Sequence, residues 1–350
     1  MGRKTRLVKI DNKKIGGNNP ILVQSMCNTE TKNVIQTVRQ IRLLEKAGCD
    51  IIRVAVPDME SAQALKAIKK KISIPLVADI HFDYRLAVES AKHADKIRIN
   101  PGNIGGLDRI KKIVHACKKH KIPMRVGVNS GSLKKSIESK YGKTPRALFE
   151  SAKEYAKLFE RLGFRDLIFS IKSSDIRETV EANRLFSKRF NYPLHLGITE
   201  SGTYNIGIIK SASGIGSLLI DGIGDTIRIS LTDDPIKEVY AAIELLKSLG
   251  LRKGRNFISC PTCTRTSVNL FRIANEIEEA TRHPDKDITI AVMGCEVNGP
   301  GEAKYADLGV ACSNKCGFIF KKGKILRKVQ EEDIVKEVVK EYRKCQKPPS

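Results

Sequence analysis

Four apolar segments decide the fold: Ile51-Ile-Arg-Val-Ala-Val56, Pro75-Leu-Val-Ala-Asp-Ile80, Lys96-Ile-Arg-Ile-Asn100 and Met124-Arg-Val-Gly-Val-Asn129. Each segment is short and rich in aliphatic residues, many of them β-branched, as expected of a buried strand. Segments with helical periodicity separate them. This alternation is typical of βα units, in which successive strands are parallel and helices cover the sheet.

Similar apolar segments occur on both sides of this stretch and bring the predicted strands to eight. The additional strands lie at 21–26, 166–172, 194–199 and 225–231, and intervening helices include 34–47, 60–71, 147–162 and 235–249. Eight strand-helix repeats that end near residue 250 match the size of a closed parallel barrel. A doubly wound open sheet is the alternative, but it would need fewer strands. We therefore predict a (β/α)8 TIM barrel over residues 1–250.

The composition changes after residue 250, and the remaining segment predicts a small α/β domain over residues 251–350. The predicted elements are a helical segment from Ser259 to about Ala280, a strand at 288–293, a hairpin near 318–325 and a helix at 331–344. The chain is therefore expected to be an α/β protein in which a barrel precedes a smaller domain.

The composition narrows the class of protein. A chain of 350 residues with 41% hydrophobic residues can bury a sizeable core, and its N-terminus lacks the apolar segment of a signal peptide. No apolar segment approaches the roughly 20 residues that span a bilayer. Nine cysteines without a disulfide-type spacing are typical of reduced thiols or metal ligands. We expect a soluble, cytoplasmic protein with no membrane partner.

The formal charge of +24 indicates acidic partners, which include phosphorylated small molecules, nucleic acid and acidic redox proteins. Charge alone does not choose among these classes. The chain has no tryptophan and only 5% aromatic residues, so it offers little stacking surface for single strands. We therefore expect no nucleic-acid partner.

Polar residues occur at the C-terminal end of every predicted barrel strand. They are Gln24, Ser25, Arg53, Asp79, His81, Asn100, Arg125, Asn129, Lys172, Thr199, Glu200, Arg228 and Ser230. Barrel active sites are built at that end, so these residues predict one site. Its Arg and Lys side chains suit phosphate oxygens, and the carboxylates among them are too few to neutralise the cations. We predict a small phosphorylated ligand, with a diphosphate as the natural candidate.

Three cysteines define a second candidate site. Cys260 and Cys263 form a C-x2-C pair at the predicted helix start, and Cys295 follows a predicted strand. The pair alone fits zinc, an iron-sulfur cluster or a redox dithiol. Backbone N–H groups at a helix N-terminus, Gly-rich flanks and the lack of a nearby His favour a cluster over zinc. Glu302, Cys312 and Cys316 are all candidates for the fourth ligand.

These residues resemble the bacterial 4-hydroxy-3-methylbut-2-enyl diphosphate synthases, reductive enzymes of the methylerythritol phosphate route to isoprenoids. The resemblance covers essentially the whole chain. The matching motifs are Val23-Gln-Ser-Met26, Arg53-Val54, Ala78-Asp-Ile-His-Phe-Asp83, Arg98-Ile-Asn-Pro-Gly-Asn103, Arg125-Val-Gly-Val-Asn129, Pro193-Leu-His-Leu-Gly197, Thr199-Glu200, Gly222-Ile-Gly-Asp-Thr-Ile-Arg228, Cys260-Pro-Thr-Cys263, Gly294-Cys295 and Asn298-Gly-Pro-Gly-Glu302.

The resemblance implies a 4Fe-4S cluster held by Cys260, Cys263, Cys295 and Glu302, so that the small domain is an iron-sulfur domain. It also implies a homodimer in which the cluster domain of one subunit closes over the barrel of the other. The substrate would be 2-C-methyl-D-erythritol 2,4-cyclodiphosphate, and the product 4-hydroxy-3-methylbut-2-enyl diphosphate. Flavodoxin or ferredoxin would donate the two electrons.

The same resemblance implies roles for the barrel residues. Substrate binding falls on Arg53, Arg98, Arg125, Asn129, Lys172, Arg228 and Ser230. A proton for the leaving oxygen would come from Glu200 or from the pair Asp79 and His81, and Glu302 would take part in catalysis as a displaceable ligand. Cys312 and Cys316 depart from the family pattern, and we interpret them as free thiols.

Two alternatives from other classes stay open at this point. One is a zinc-containing, phosphate-binding barrel such as a lyase or an aldolase. The other is a basic RNA-associated protein with a zinc knuckle, but a cluster of cations at strand ends argues against a nucleic-acid surface.

Overall fold

A computed structural model of the chain describes residues 3–281, 287–295, 303 and 305–346. The chain divides into two compact units, Met1–Leu251 and Arg252–Ser350. Within the described residues, no helix is both long enough and apolar enough to cross a membrane.

The first unit is a parallel (β/α)8 barrel preceded by a hairpin, which confirms the predicted fold class. The hairpin strands are β1 (Val8–Ile10) and β2 (Lys13–Ile15). The barrel strands are β3 (Leu22–Met26), β4 (Ile51–Ala55), β5 (Leu76–Ile80), β6 (Lys96–Ile99), β7 (Met124–Asn129), β8 (Leu167–Lys172), β9 (His195–Leu196) and β10 (Thr226–Ile227). Their spatial order is β8-β7-β6-β5-β4-β3-β10-β9, and a parallel bridge between Phe169 and Leu194 joins the two end strands. The open doubly wound sheet is therefore excluded.

Helices follow the strands and cover the outside of the barrel. They are α1 (Val34–Lys46), α2 (Met59–Lys69), α3 (Tyr84–Ser90), α4 (Pro101–Ile104), α5 (Leu107–His120), α6 (Lys135–Tyr141), α7 (Pro145–Arg161), α8 (Ile176–Arg189), α9 (Tyr204–Ile220) and α10 (Pro235–Ser248). Several begin at a side chain that accepts a first-turn N–H, as Asp58, Thr144 and Asp175 do. Pro145 and Pro235 start their helices because the first turn needs no N–H donor there.

The last two barrel strands are much shorter than predicted. Residues 194–199 and 225–231 were predicted as strands, but only His195–Leu196 and Thr226–Ile227 form strands, next to the single bridge from Leu194 to Phe169. Ile198 and Ile229 beyond them are still fully buried. Burial outside the strand ladder therefore explains why longer strands were predicted.

The β1–β2 hairpin, which the sequence did not predict, contributes to a small apolar cluster within the barrel unit. This closing cluster consists of Val8, Ile10, Ile15, Leu22, Ile51, Val77 and Ile168. Its barrel members lie at or next to the first residue of their strands, so the cluster fills the N-terminal end of the barrel interior. The opposite, C-terminal end is the one at which barrel enzymes bind their ligands.

The second unit is a five-stranded mixed sheet with two helices. Its elements are β11 (Asn256–Ser259), α11 (Leu270–Ala280), β12 (Thr289–Met293), β13 (Leu308–Ser313), β14 (Cys316–Lys321), β15 (Lys324–Gln330) and α12 (Ile334–Gln346). The strands pair in the order β11-β12-β13-β14-β15, parallel as far as β13 and antiparallel after it. The helical segment predicted to begin at Ser259 is wrong, because residues 256–259 form a strand and the helix begins only at Leu270.

Candidate functional site

Side chains alternate between two environments along each barrel strand. On β4, Ile52 and Val54 belong to the large core that includes the surrounding helices, whereas Ile51 lies in the closing cluster and Arg53 pairs with Asp79. The barrel interior, which we call the lumen, is therefore apolar at its N-terminal end and polar above it. The polar lumen positions are Gln24, Arg53, Asp79, Lys96, Arg98, Arg125, Lys172, His195, Thr226 and Arg228.

Asp79 is the central carboxylate of the lumen. Arg98 Nη1 donates to Asp79 Oδ1 at 2.8 Å, while Arg53 Nε and His81 Nε2 each lie 3.6 Å from Asp79 Oδ2. Burial alone would raise the pKa of Asp79, but attraction by Arg53, the hydrogen bond from His81 and the charge of Arg98 hold it well below its usual value. Asp79 is therefore ionised at neutral pH and orients two guanidinium groups.

A second carboxylate, Glu238 on α10, holds Arg228. Arg228 Nη2 lies 3.2 Å from Glu238 Oε2, and the backbone N–H of Leu231 donates to Glu238 Oε1 at 2.9 Å. Glu238 is buried, although it belongs to the first turn of a helix. Glu238 was not predicted as a site residue, because an acidic residue in a first helical turn is usually explained by the helix dipole.

Two further cations, Arg125 and Lys172, are buried without such a partner carboxylate. The pKa of each is held well below its ordinary value, first by burial and then by neighbouring cations such as Arg53. Glycines make room for these groups: a Cβ at Gly197 would overlap Lys172 Nζ and lie 2.7 Å from the Arg228 carbonyl oxygen. A Cβ at Gly127 would lie 3.1 Å from Arg98 Nη2.

The described lumen therefore holds six Arg and Lys side chains and two carboxylates. These basic side chains, which we call the lumen cations, are Arg53, Lys96, Arg98, Arg125, Lys172 and Arg228. Several of their nitrogens have no hydrogen-bond partner, among them Arg125 Nε, Arg125 Nη1 and Arg98 Nε. Arg53 directs Nε and Nη2 at the Met26 sulfur, 3.1 and 2.9 Å away, although a thioether is a weak acceptor. This arrangement suits an anion with many oxygen acceptors.

Four other predicted barrel residues, Asn129, Ser230, His81 and Glu200, lie in less buried positions, whereas Ser25 and Asn100 are buried. Asn129 is in register with Lys172 on the neighbouring strand and is partly buried, as is Ser230. His81 is half exposed beside Asp79. Glu200 is exposed and has a left-handed backbone, with φ +54°, which is uncommon for a residue other than glycine.

Sequence reasoning missed three lumen positions besides Glu238. Lys96 precedes Arg98 by two residues on β6, so strand alternation places both on the lumen side. His195 lies on β9, and its Nδ1 is 2.8 Å from Thr226 Oγ1. Lys96, His195 and Thr226 are the first residues of β6, β9 and β10, whereas the site residues were selected at the C-terminal ends of the strands.

The cysteines of the second unit follow two adjacent parallel strands. Cys260 comes directly after β11 and Cys295 two residues after β12, and both are buried. The backbone N–H of Gly294 donates to Cys260 Sγ at 3.1 Å. The N–H donor predicted at a helix N-terminus therefore comes from the β12 loop instead.

Cys263 is exposed, and its environment favours the thiolate. The pKa of its thiol is lowered, chiefly by a backbone hydrogen bond from Arg265 and further by the Thr266 hydroxyl and the Arg265 charge. Glu302 lies outside the described residues. Among the residues that are described, no group of three or more His, Cys, Asp or Glu side chains is arranged to hold a metal ion.

The two additional cysteines are also buried in this unit. Burial first, and then Glu331 and the nearby thiols, Cys260 first among them, raise the pKa of the Cys312 thiol to about 12. Cys316 Sγ donates to the Ser313 carbonyl oxygen at 2.7 Å. Cys312 is therefore a neutral thiol close to the cysteines of the candidate metal site.

The barrel unit, with its basic lumen, and the cysteine-bearing second unit define a two-unit α/β barrel protein. The chain belongs to the GcpE family: residues 5–243 match the GcpE TIM-barrel domain and residues 256–344 match the GcpE protein C-terminal domain.

Curated relatives match over nearly the full length of the chain. A 4-hydroxy-3-methylbut-2-en-1-yl diphosphate synthase (flavodoxin) from Caldanaerobacter subterraneus subsp. tengcongensis is 58% identical over 99% of both chains. Proteins of the same name from Caldicellulosiruptor saccharolyticus and Clostridium perfringens are 57% and 54% identical, over 96% and 97% of this chain and 98% and 99% of theirs.

Among solved structures, a dihydropteroate synthase from Stenotrophomonas maltophilia matches 70% of this chain and 97% of its own. The TM-score is 0.52 and the sequences are 10% identical. At that identity the likeness concerns the barrel fold alone.

Proposed function

We propose that this protein reduces 2-C-methyl-D-erythritol 2,4-cyclodiphosphate to 4-hydroxy-3-methylbut-2-enyl diphosphate in isoprenoid biosynthesis. The product is the compound in the name of the curated relatives. The observation that carries the proposal is the lumen, in which buried Arg and Lys side chains outnumber carboxylates and leave several N–H groups without an acceptor. A diphosphate supplies both the negative charge and the oxygen acceptors that these groups lack.

In this proposal the lumen cations bind the diphosphate. Asp79 aligns Arg53 and Arg98, and Glu238 aligns Arg228, so that three guanidinium groups are held before the substrate arrives. Arg125 and Lys172 are free to contact oxygens directly. Asn129 and Ser230, at the ends of their segments, orient the sugar-derived part of the substrate.

The reaction also needs protons for the oxygen that leaves as water. Asp79 is ionised and engaged by arginines, so we assign the transferable proton of the Asp79–His81 pair to His81 Nε2. Glu200 is the alternative donor, because it is exposed near the C-terminal end of the barrel. Glu302 would take part as a weak ligand in the cluster site.

We further propose that Cys260, Cys263, Cys295 and Glu302 hold a 4Fe-4S cluster. Support comes from the donor set: Cys260 receives a backbone N–H, and Cys263 has a lowered thiol pKa, as anionic sulfur ligands require. Such a cluster, when bound, passes electrons singly to the substrate. Cys312 is kept as a neutral thiol and is not assigned as a ligand.

The proposed partners are flavodoxin or ferredoxin as electron donor and a second copy of the chain. Flavodoxin is named with the curated relatives, and the formal charge of +24 suits an acidic redox protein. In the proposed homodimer the cluster-bearing unit of one subunit closes over the barrel of its partner. The proposed location is the cytoplasm.

The proposal is tested by anaerobic purification, iron and sulfide analysis, and turnover of the cyclic diphosphate with reduced flavodoxin. We expect about four irons and four sulfides per chain, as one 4Fe-4S cluster requires, visible absorption and formation of the linear diphosphate. One bound zinc without visible absorption, and no turnover, would contradict the proposal and favour a zinc-containing phosphate-binding barrel.

A further inference from the structure

Below the cations that face the C-terminal end, the lumen contains a second, deeper polar layer. Lys96 is the first residue of β6 and is in register with Val77, which belongs to the closing cluster. Its side chain is 0% exposed. In the described lumen Lys96 Nζ, both amide atoms of Gln24 and His195 Nε2 have no hydrogen-bond partner.

Among the residues that the structure describes, no carboxylate of the lumen neutralises Lys96. Asp79 is engaged by Arg53 and Arg98. Asp95, next to Lys96 in the chain, bonds the Leu76 N–H and Lys69 instead. The other charged and titratable groups of the strands that surround the lumen are Arg53 on β4, Asp79 on β5, Arg98 on β6, Arg125 on β7, Lys172 on β8, His195 on β9 and Arg228 after β10, while β3 contributes the neutral Gln24.

The pKa of Lys96 is held well below its ordinary value by burial first, and then by Arg125 and Arg53, against the weaker attraction of Asp95. Lys96 thus differs from a surface lysine, because its Nζ is shielded from solvent and has no hydrogen-bond acceptor. An anion placed among the lumen cations would reverse the sign of the local field and favour the charged ammonium.

We propose that Lys96 is a neutral amine in the unliganded lumen and takes up one proton when the diphosphate binds, becoming the deepest positive charge beneath it. The proton comes from solvent, and the amine becomes an ammonium with no other bond changed. Lys96 is thereby a positioning and charge-balancing residue, and this role rests on the proposed diphosphate substrate.

The experiment is calorimetric titration of the oxidised, cluster-loaded protein with 2-C-methyl-D-erythritol 2,4-cyclodiphosphate near neutral pH, without an electron donor so that no turnover occurs. Buffers of different ionisation enthalpy give the number of protons taken up. We expect Lys96→Met to take up about one proton fewer than the wild-type protein. The control Lys119→Met, at an exposed lysine of α5, should match the wild type.

The outcomes separate this inference from the proposed function. If the wild type fails to bind the cyclic diphosphate, the proposed function is wrong. If it binds and Lys96→Met takes up the same number of protons, the assignment to Lys96 is overturned, whereas a loss confined to His195→Gln would place the proton on His195 instead.

A second measurement covers a Lys96→Met protein that does not fold. The affinity of the wild type for the cyclic diphosphate should fall about tenfold per pH unit above neutrality for one proton taken up, after correction for the ligand's own titration. An affinity that does not change with pH would contradict the inference without any variant.

Discussion

The lumen and the cysteine region of the second unit can both accommodate negative charge. They differ in which groups of the protein compensate that charge. In the lumen the compensation comes from side chains, six Arg and Lys residues against two carboxylates, fixed by strand alternation. Around the cysteines it comes largely from the backbone and loops, as in the N–H of Gly294 that donates to Cys260 Sγ and the backbone bond from Arg265 to Cys263.

The two sites therefore depend on the fold in different ways. The lumen side chains project from strands of one closed barrel, so their geometry exists without a ligand. The cysteines lie after strand ends in connecting segments, where ligand geometry depends on loop conformation. We therefore expect substrate binding and cluster binding to be separable by mutation.

The largest expected effect is that of Cys260→Ser. The variant should lose its iron and fall to background turnover, because a serine oxygen is a poor replacement for a cluster thiolate. Its affinity for the cyclic diphosphate, measured by calorimetry, should stay within about twofold of the wild type, since no bond that positions the lumen cations is removed. Cys345→Ser on α12 is the matched control and should keep its iron. A parallel loss of substrate affinity in Cys260→Ser would show that the two sites are not separable.

Arg125→Met tests the lumen, where we expect a loss of substrate affinity. Arg125 is fully buried and two of its nitrogens lack partners, so its removal should cost about 100-fold in substrate affinity, equal to about 3 kcal/mol. The unliganded variant should unfold at the same or a higher temperature, because a buried cation among cations has been removed. Arg161→Met, at an exposed arginine of α7, controls for loss of one positive charge. A marked fall in thermal stability would mean that Arg125 has a structural role instead.

The barrel could be predicted because its periodic pattern repeats eight times. Helix and strand signals agree in every βα unit, and the closing bridge between Phe169 and Leu194 follows from that repetition. The ends of β9 and β10 could not be predicted. Ile198 and Ile229 lie beyond these strands but are still buried, and a buried residue outside a sheet gives the same apolar signal as one inside it.

The lumen was predictable in part. Residues at strand ends, such as Arg53 and Lys172, were selected because a buried strand has no structural need of them. Lys96 could have been found from its spacing of two residues to Arg98, but Glu238 could not, because it reaches the lumen from a helix distant in sequence. Around the cysteines, the spacing predicted the residues but not the source of the N–H donor, which depends on how the chain returns after β12.

Glu238→Gln should lower the free energy of unfolding. The size of this loss should exceed any gain from substituting a lumen cation. The carboxylate is 3% exposed and holds Arg228, and loss of its charge would leave a buried guanidinium without a counter-ion. We expect a loss of about 3 kcal/mol in the free energy of unfolding, measured with urea in the absence of substrate. The cyclic diphosphate should restore part of this loss, because it supplies a counter-charge. Equal destabilisation with and without the ligand would contradict the electrostatic role.

The smallest effect is a dependence of stability on pH. Lys96 and Lys172 have lowered pKa values in the folded protein, so the unfolded chain binds more protons and stability should rise with pH. The window ends where the cysteines of the unfolded chain ionise, at about pH 8.5. Above it, buried thiols such as Cys117, whose folded pKa is about 12, reverse the slope, because only the unfolded chain ionises them. Asp79 does not change the pH dependence of stability in this window, because it is fully ionised in the folded and the unfolded protein well below neutrality.

The contribution of Lys96 to that slope is isolated by comparison with Lys96→Met. Urea unfolding of both proteins across the window should show a slope lower by about 1 kcal/mol per pH unit in the variant. Identical slopes would mean that the lysine is already charged in the unliganded lumen. In that case Lys96 would be a permanent cation like the arginines above it. The lumen would then compensate negative charge with fixed positive charges only, and a change in the protonation of Lys96 would not distinguish it from the cysteine region.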